Sequence, residues 1–417
     1  MHVALVNRWY PPHTGFGGVA MYNYFLAAAL TEKGHRVSIV AARWSPTVPP
    51  VEQCDRIHVR RLLVKHRPWL HRLPLAGRHM RSVVLASYSR QVMHALRDLE
   101  SKDRPDVVEF ADIEAEGYAY LRQKRRCPVI VRCHTPMFVL HRYYRAEEWP
   151  GSTSRIQARE KLCISQADAL TAPSRNMAET IADECNVSRE RIAIIPNALD
   201  VRPFERAGSE SSSQRNGGSD VVILHVGRLD RGKGIEVLAE AIPSVLEQIP
   251  EARFVFAGDG RLPTGSGTWR TRLEEKLSAQ QKSGRVTFLG ELSLSALADW
   301  YGRVDIAVVP SLIYESFSYT CAQAAAAGLP VVASRIGGIP ETIEDGVAGI
   351  LVEPGNVEQL LSALLRLARE PILRRQMGAA GQRKAARSFA ASEVAEQTLE
   401  IYRSAVAHRL NGGHSVC

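Results

Sequence analysis

Residues 311–334 read SLIYESFSYTCAQAAAAGLPVVAS. The residues before them, DIAVVP, form the short apolar run of a buried strand, and the Ala-rich run after Tyr319 has the character of a helix. Glu315 stands between the two, where Pro310, Ser311 and Tyr314 break the periodicity and mark a loop. LPVVAS then supplies a second strand. The stretch is therefore a strand–loop–helix–strand unit with one acid at the mouth of its helix. A carboxylate there can simply cap the helix. It can also be the polar end of a ligand site, because ligands of open α/β sheets bind beyond the carboxyl ends of the strands.

The same alternation extends along the chain. HVALVN, HRVSIVAA, DVVEF and PVIVRCH read as strands in the first half, and VVILHVG, ARFVFAG, RVTFLG, DIAVVP, LPVVAS and AGILVE in the second. Short β-branched runs separated by helical patterns indicate βαβ units and parallel sheets. The series pauses at AGSESSSQRNGGSD, residues 207–220, a polar Ser/Gly run of linker character. A chain of 417 residues suits two domains of about 200 residues each. The expected fold class is α/β, with two Rossmann-like doubly wound domains facing across a cleft. The expected division is 1–203, a linker at 204–219, a second domain at 220–388, and a terminal helix at 389–417 that crosses back to the first domain.

Composition narrows the function classes. Seven cysteines without a C-x-x-C pair suggest reduced thiols in a cytosol, not a disulfide framework or a zinc site. The opening MHVALVN reads as a strand and not as a secretory signal, and no segment reaches the roughly 20 apolar residues of a membrane span. The net charge of +9 lies wholly in residues 1–200, with 29 Lys+Arg against 20 Asp+Glu, while residues 201–417 hold 24 of each. Arg56 to Arg97 contains ten cations and no acid. Such a stretch suits nucleic acid or an anionic lipid surface, or is a solvated basic face. No nucleic-acid motif accompanies it, so nucleic acid is not expected as a partner. Trp69, Leu70, Leu73 and Leu75 interleave with Arg67, Arg72 and Arg78 as in an interfacial segment. The expected location is cytoplasmic, with peripheral attachment to the inner face of a membrane through residues 56–97 as its extension.

Three further loops carry candidate chemistry. GFGGV, residues 15–19, offers small residues at a helix N-terminus, where backbone N–H groups can meet an anion; a tight turn would explain it equally. It is not a dinucleotide fingerprint, because the seven residues RWYPPHT separate it from the first strand and no acid ends the second. VGRLDRGKG, residues 226–234, places Arg228 and Lys233 on a strand-to-helix turn, where two cations suit two linked phosphates; two surface cations are the alternative. FAGDGR, residues 256–261, is a glycine turn after a strand and generic by itself.

Taken in order, VGRLDRGKG, FAGDGR, RVTFLGEL, VVPSLIYESFSYTCAQAAAAGLPVVAS and GGIPETIEDGVAGILVEPGN resemble glycosyltransferase family 4, retaining enzymes of the GT-B fold. GFGGVAMYNYFLAAALTEKGHRVSIV and IPNALD add the first half to the resemblance. It implies transfer of a sugar from a nucleoside diphosphate sugar, UDP foremost, to a glycan, lipid-linked or small-molecule acceptor, in cell-envelope polysaccharide or glycoconjugate synthesis. The donor is a co-substrate, and no cofactor is implied. By resemblance, Arg228 and Lys233 hold the diphosphate, Glu315 the donor sugar hydroxyls, and the backbone of Phe317, Ser318 and Tyr319, with the Thr320 hydroxyl, the distal phosphate and sugar. Gly258 and Asp259 belong to the same donor side. The family's second acid, which grips the ribose, is Gln323 here. His134 in VRCHTP falls near the donor sugar, and Gly15, Gly17 and Gly18 lie under the diphosphate. Glu109 and Asp112, in the acid-rich EFADIEAEG, are the acceptor-side expectation. No Asp-x-Asp occurs, which accords with metal independence. The rival readings are an epimerase or hydrolase of the same fold, a donor-binding paralogue without turnover, and a dinucleotide-dependent oxidoreductase, against which the missing fingerprint counts.

Overall fold

The structure is a computed structural model that describes residues 1–13, 17–64, 74–143, 153–211, 220–264 and 267–412. Two compact units divide it. One takes Met1–Leu199 together with the chain from Ala391 onward, and the other takes Asp200–Ala390.

The first unit holds β1 (His2–Val6), β2 (Arg36–Arg43), β3 (Val51–Cys54), β4 (Ile57–Leu63), β5 (Val107–Ala111), β6 (Val129–Arg132), β7 (Ala169–Ala172) and β8 (Ile192–Ile194). Their order in the sheet is 3-4-2-1-5-6-7-8. Every pair is parallel except β3 on β4. β1 and β5 are buried along their whole length, which is why they read as unbroken apolar runs with helices over both faces. From β1 the chain winds outward through β2 and β4, then returns to β5 on the other side of β1. That reversal is the switch point of the sheet. Helix α1 (Gly18–Glu32) buries Tyr22, Phe25, Leu26 and Leu30.

The last helix, Ala391–Gly412, belongs to this first unit. Its Tyr402 hydroxyl donates to Glu109 Oε2 at 2.8 Å in the interior. Lys33 meets Glu396 at 3.1 Å, and Arg409 meets Asp168 at 2.8 Å. At its start, the Ala391 N–H donates to the Leu199 carbonyl at 2.9 Å.

The second unit holds a six-stranded sheet of β9 (Val221–Val226), β10 (Ala252–Ala257), β13 (Val286–Gly290), β14 (Ile306–Val309), β15 (Val331–Ser334) and β16 (Gly349–Val352), with a small antiparallel pair of β11 (Pro263–Thr264) and β12 (Gly267–Thr268). The order is 13-10-9-14-15-16, all parallel. Its core packs Ile223, Leu238, Ile242, Phe254, Phe256, Val308 and Leu364. Here the switch point lies between β9 and β14.

The structure bears on two expectations. The expected linker at 204–219 begins as helix: Arg202–Ser211 is helical, and residues 212–219 lie outside the described residues. Phe204 is fully buried and meets the Tyr301 ring edge-on at 5.6 Å. A single apolar stripe of Phe204 and Ala207 is enough to dock a segment that otherwise reads as polar. The chain passes from one unit to the other at 199/200 and 390/391.

The basic stretch is also less free than its composition suggests. Arg56 donates to the Gly34 carbonyl, Arg60 pairs with Asp98 at 2.6 Å, and Arg81 pairs with Glu114. The Arg61 side chain is fully buried. The stretch has no acid of its own, but the fold brings acids to it from elsewhere. Trp69, Leu70 and Leu73 of the expected interfacial segment lie outside the described residues.

Candidate active site

At the switch point of the second unit, three strand-end loops are packed backbone to backbone. Gly234, with φ +70°, closes the loop after β9; a Cβ there would lie 1.7 Å from the Pro310 carbonyl oxygen. Gly258, with φ +145°, follows β10, and its Cβ would lie 1.8 Å from the Gly227 oxygen. Only glycine fits either place. The contact is completed by Leu312 N–H donating to Gly232 O at 2.8 Å and Leu229 N–H donating to Asp259 O at 2.7 Å. Asp230 caps the β9 turn by accepting the Lys233 N–H at 3.1 Å, and its carboxylate pairs with Arg228 Nε at 2.9 Å.

This scaffold sets the charged side chains. Lys233 Nζ is ion-paired with Glu315 Oε1, and Ser311 Oγ donates to the same oxygen at 2.8 Å. The Gly338 N–H fixes the Glu315 backbone by donating to its carbonyl at 2.7 Å. Lys233 keeps 24% and Glu315 12% of its side-chain surface, while Arg228 keeps 49%, so the group is open on one side. Two cations on one loop, flanked by a carboxylate, can take a polyanion and the hydroxyl groups beside it.

The other donor-side expectations fall around this group with differences. Ser318 caps the helix Tyr319–Ala326 by accepting the Cys321 N–H. Phe317 and Tyr319 are buried and edge-on to each other at 5.3 Å, so the backbone is what they have to offer a ligand. The Thr320 hydroxyl is already bonded to the last carbonyl of β9, that of Val226, at 3.3 Å. Gln323 is buried, and its Oε1 accepts from Tyr301 Oη at 3.4 Å. Asp259 chelates Arg261, which holds its carboxyl below the usual range. Gly17 and Gly18 open α1; Gly15 lies outside the described residues.

The acceptor-side residues are placed inside the first unit. Glu109 lies in the core, where burial raises its pKa while Arg132, Tyr402 and Tyr22 oppose that rise; it holds the last helix through Tyr402. Asp112 is fully buried too. Its Oδ1 accepts the His134 N–H at 3.1 Å, and burial pushes its carboxyl up to about 7. His134 is buried edge-on to Tyr22 at 5.0 Å. Burial and the nearby Arg132 hold its ring well below the usual range, so it is neutral at pH 7. Asp112 thus fixes the loop that carries His134.

Sequence reasoning missed the charge cluster at the first unit's own switch point. Arg8, just past β1, pairs with Glu114 and with Glu116, the latter at 3.3 Å, and its N–H meets both oxygens of Glu116. Glu160 accepts the Glu114 N–H at 2.7 Å and the Met137 N–H at 2.9 Å. Glu114 and Ala115 stand at φ +63° and +54°, strained for residues with a Cβ. The only sequence signal was EAE two residues past a strand. Ser311, Asp230 and the buried His225, pushed down to about 4 by burial, were likewise unmarked.

Comparison with known proteins places this geometry. Residues 16–202 match the model of Glycosyltransferase Family 4, and residues 220–370 that of Glycosyl transferases group 1. A D-inositol 3-phosphate glycosyltransferase of Nocardioides sp. is 28% identical over 408 residues, covering 94% of this chain and 87% of that one. Among solved structures, a sucrose-phosphate synthase from Thermosynechococcus elongatus superposes with a TM-score of 0.80 at 25% identity, over 98% of this chain and 99% of that one. The Anabaena protein HepE in complex with UDP and glucose gives a TM-score of 0.69 at 17% identity, over 96% and 99%. With two parallel α/β units of GT-B type, and charged strand-end loops at the switch point of the second, this chain belongs to glycosyltransferase family 4.

Proposed function

We propose that this glycosyltransferase is retaining and metal-independent, and that it takes its sugar from a UDP-sugar. The observation that carries the reading is the Lys233–Glu315–Ser311 group with Arg228 on the same β9 loop. In the free protein Lys233 and Glu315 neutralise each other. A bound diphosphate competes for Lys233 and the donor sugar hydroxyls compete for Glu315, so the pair opens as the donor enters. Negative charge then builds on the departing phosphate, and Lys233 and Arg228 stabilise it in a partly desolvated site. Same-face attack lets the leaving phosphate take the acceptor's proton, so no enzymic nucleophile is needed. His134 serves only as a neutral hydrogen-bonding group, since its ring is uncharged. Uridine is favoured by the UDP and glucose held in the Anabaena protein of the same fold.

The acceptor is a glycan, a lipid-linked sugar or a small glycoside. Among the described residues no helix is long and apolar enough to cross a membrane, and Arg56, Arg60, Arg61 and Arg81 are spent on internal partners. Attachment to an anionic surface would therefore fall to the remaining cations of 56–97.

A thermal-shift screen against UDP, GDP, ADP, their sugars and NAD tests the donor reading, followed by hydrolysis of the best donor with and without EDTA. UDP and a UDP-sugar should raise Tm, hydrolysis should survive chelation, and the released sugar should keep its anomeric configuration. A shift with NAD alone, inversion at the anomeric carbon, or turnover abolished by EDTA would overturn the reading in that part.

A further inference from the structure

Two exposed tryptophans at the carboxyl edge of the first sheet are unused by the site above. Trp9 lies just past β1 and Trp44 just past β2, which are adjacent parallel strands. Their rings stack with centroids 5.5 Å apart and planes 28° apart. Even so, Trp9 is 38% and Trp44 41% exposed.

The surrounding chain fixes the backbone on which both indoles stand. Trp9 N–H donates to Asn7 Oδ1 at 3.0 Å. On either side of it, Asn7 and Ala42 N–H bond across to Val40 O and Arg8 O, each at 3.1 Å. The buried Arg61 donates to the Tyr10 and Pro11 carbonyls at 2.8 and 2.9 Å. Buried Glu116 takes the Arg8 N–H, and the Arg8 guanidinium lies 5.4 Å from the Trp9 ring centre. Next to Trp44, Arg43 Nη1 ties down the following turn through Val48 O at 2.9 Å. A rigid aromatic surface loses little conformational freedom on binding.

We propose that Trp9 and Trp44 form a stacking platform for a pyranose ring of the acceptor, so that the acceptor is an oligosaccharide or glycoside. This rests on the transferase reading and names its acceptor class. One face of a hexopyranose is lined by axial C–H bonds, whose slightly positive hydrogens suit the negative face of an indole, here the face of Trp44 turned away from Trp9, with Trp9 as its backing. Its equatorial hydroxyls stay at the rim. The same β1 loop carries a polar group in His13, which meets Glu52 at 3.1 Å with both partly exposed. Size argues for a sugar. At two-fifths exposure the two indoles offer about 200 Å² together, against about 800 Å² per partner in a stable protein interface.

The test uses the full chain. Tryptophan fluorescence is titrated with maltotriose, cellotriose, mannotriose and N-acetylchitotriose, and with phosphatidylglycerol vesicles. Transfer from the UDP-sugar is then measured for Trp9→Ala, Trp44→Ala, Trp9→Phe and Trp44→Phe, with the UDP thermal shift as a check that each variant is folded. At least one trisaccharide should quench saturably, and each Ala variant should raise acceptor KM about tenfold with a much smaller change in kcat. The Phe variants should recover most of the loss. Folded Ala variants with unchanged acceptor KM overturn the platform and leave the donor reading standing. Saturable response to vesicles and to no sugar also overturns it, in favour of a lipid surface. If no nucleotide sugar is turned over, the transferase reading fails, and the platform then stands or falls on direct trisaccharide binding alone.

Discussion

The two sheets have the same kind of switch point and fill it differently. In the second unit the gap between β9 and β14 carries Arg228, Lys233 and Glu315, one charge pair open to solvent on a scaffold of glycine contacts. In the first, the gap between β1 and β5 is packed with Arg8, Glu114, Glu116 and Glu160, all buried, around two strained residues. A buried charge without its partner is costly, whereas a partly exposed pair can be exchanged for a ligand. The first gap is therefore built for rigidity and the second for exchange.

The largest effect should come from breaking the rigid side. Arg8→Ala leaves Glu116 without a cation and Glu114 with Arg81 alone, and should cost about 3–5 kcal/mol of stability. Urea unfolding measures it; a loss below about 1 kcal/mol would mean the cluster is not what holds the first switch point. The mirror experiment is Lys233→Ala. Turnover should fall by about two orders of magnitude or more, with the midpoint of unfolding almost unmoved. If stability fell as it does in the Arg8 variant, the distinction between the two gaps would collapse.

A third, smaller effect follows pH. Burial lifts Asp112 from 3.8 to about 7, so the folded state binds a proton that the unfolded chain has released. The contribution is fully present below the unfolded value near pH 4, and is lost as pH rises through the folded value near 7. Between pH 6 and pH 8 it amounts to about 1 kcal/mol, a few degrees in Tm. Asp112→Asn should flatten that slope; an unaltered slope assigns it to other groups. The smallest effect concerns Gln323. A carboxylate in its place accepts two ribose hydroxyls, and Gln323→Glu should tighten UDP-sugar binding several-fold, about 1 kcal/mol, with kcat changed less. Equal gain for the 2′-deoxy donor, or none for the ribonucleotide, would show that this side chain, packed against Tyr301, does not meet the ribose.

How much could be read in advance follows the same divide. Both parallel sheets were legible, because each buried strand is a contiguous apolar run. That Arg228, Lys233 and Glu315 stand on strand-end loops was legible, because each lies within nine residues of a strand end, in a local pattern. The burial of Glu109 was hidden for the opposite reason. Its neighbours are acids, which suggests a solvated loop, but its partner Tyr402 is 293 residues away. The helix Arg202–Ser211 was hidden by its serines, and two residues on one face decided it. Asp112 and Arg8 needed the three-dimensional sheet order, since strands that touch in the fold are about 100 residues apart in the chain.

The last helix has a consequence for how the molecule is made. The first unit takes chain from both sides of the second, Met1–Leu199 before it and the helix of Tyr402 after it, while Asp200–Ala390 is contiguous. On the ribosome the second unit can close as soon as it emerges. The first must wait with Glu109 lacking its hydroxyl partner, until the chain past Ala391 bonds back to Leu199. Assembly thus runs from the middle outward, with the guest completed before its host.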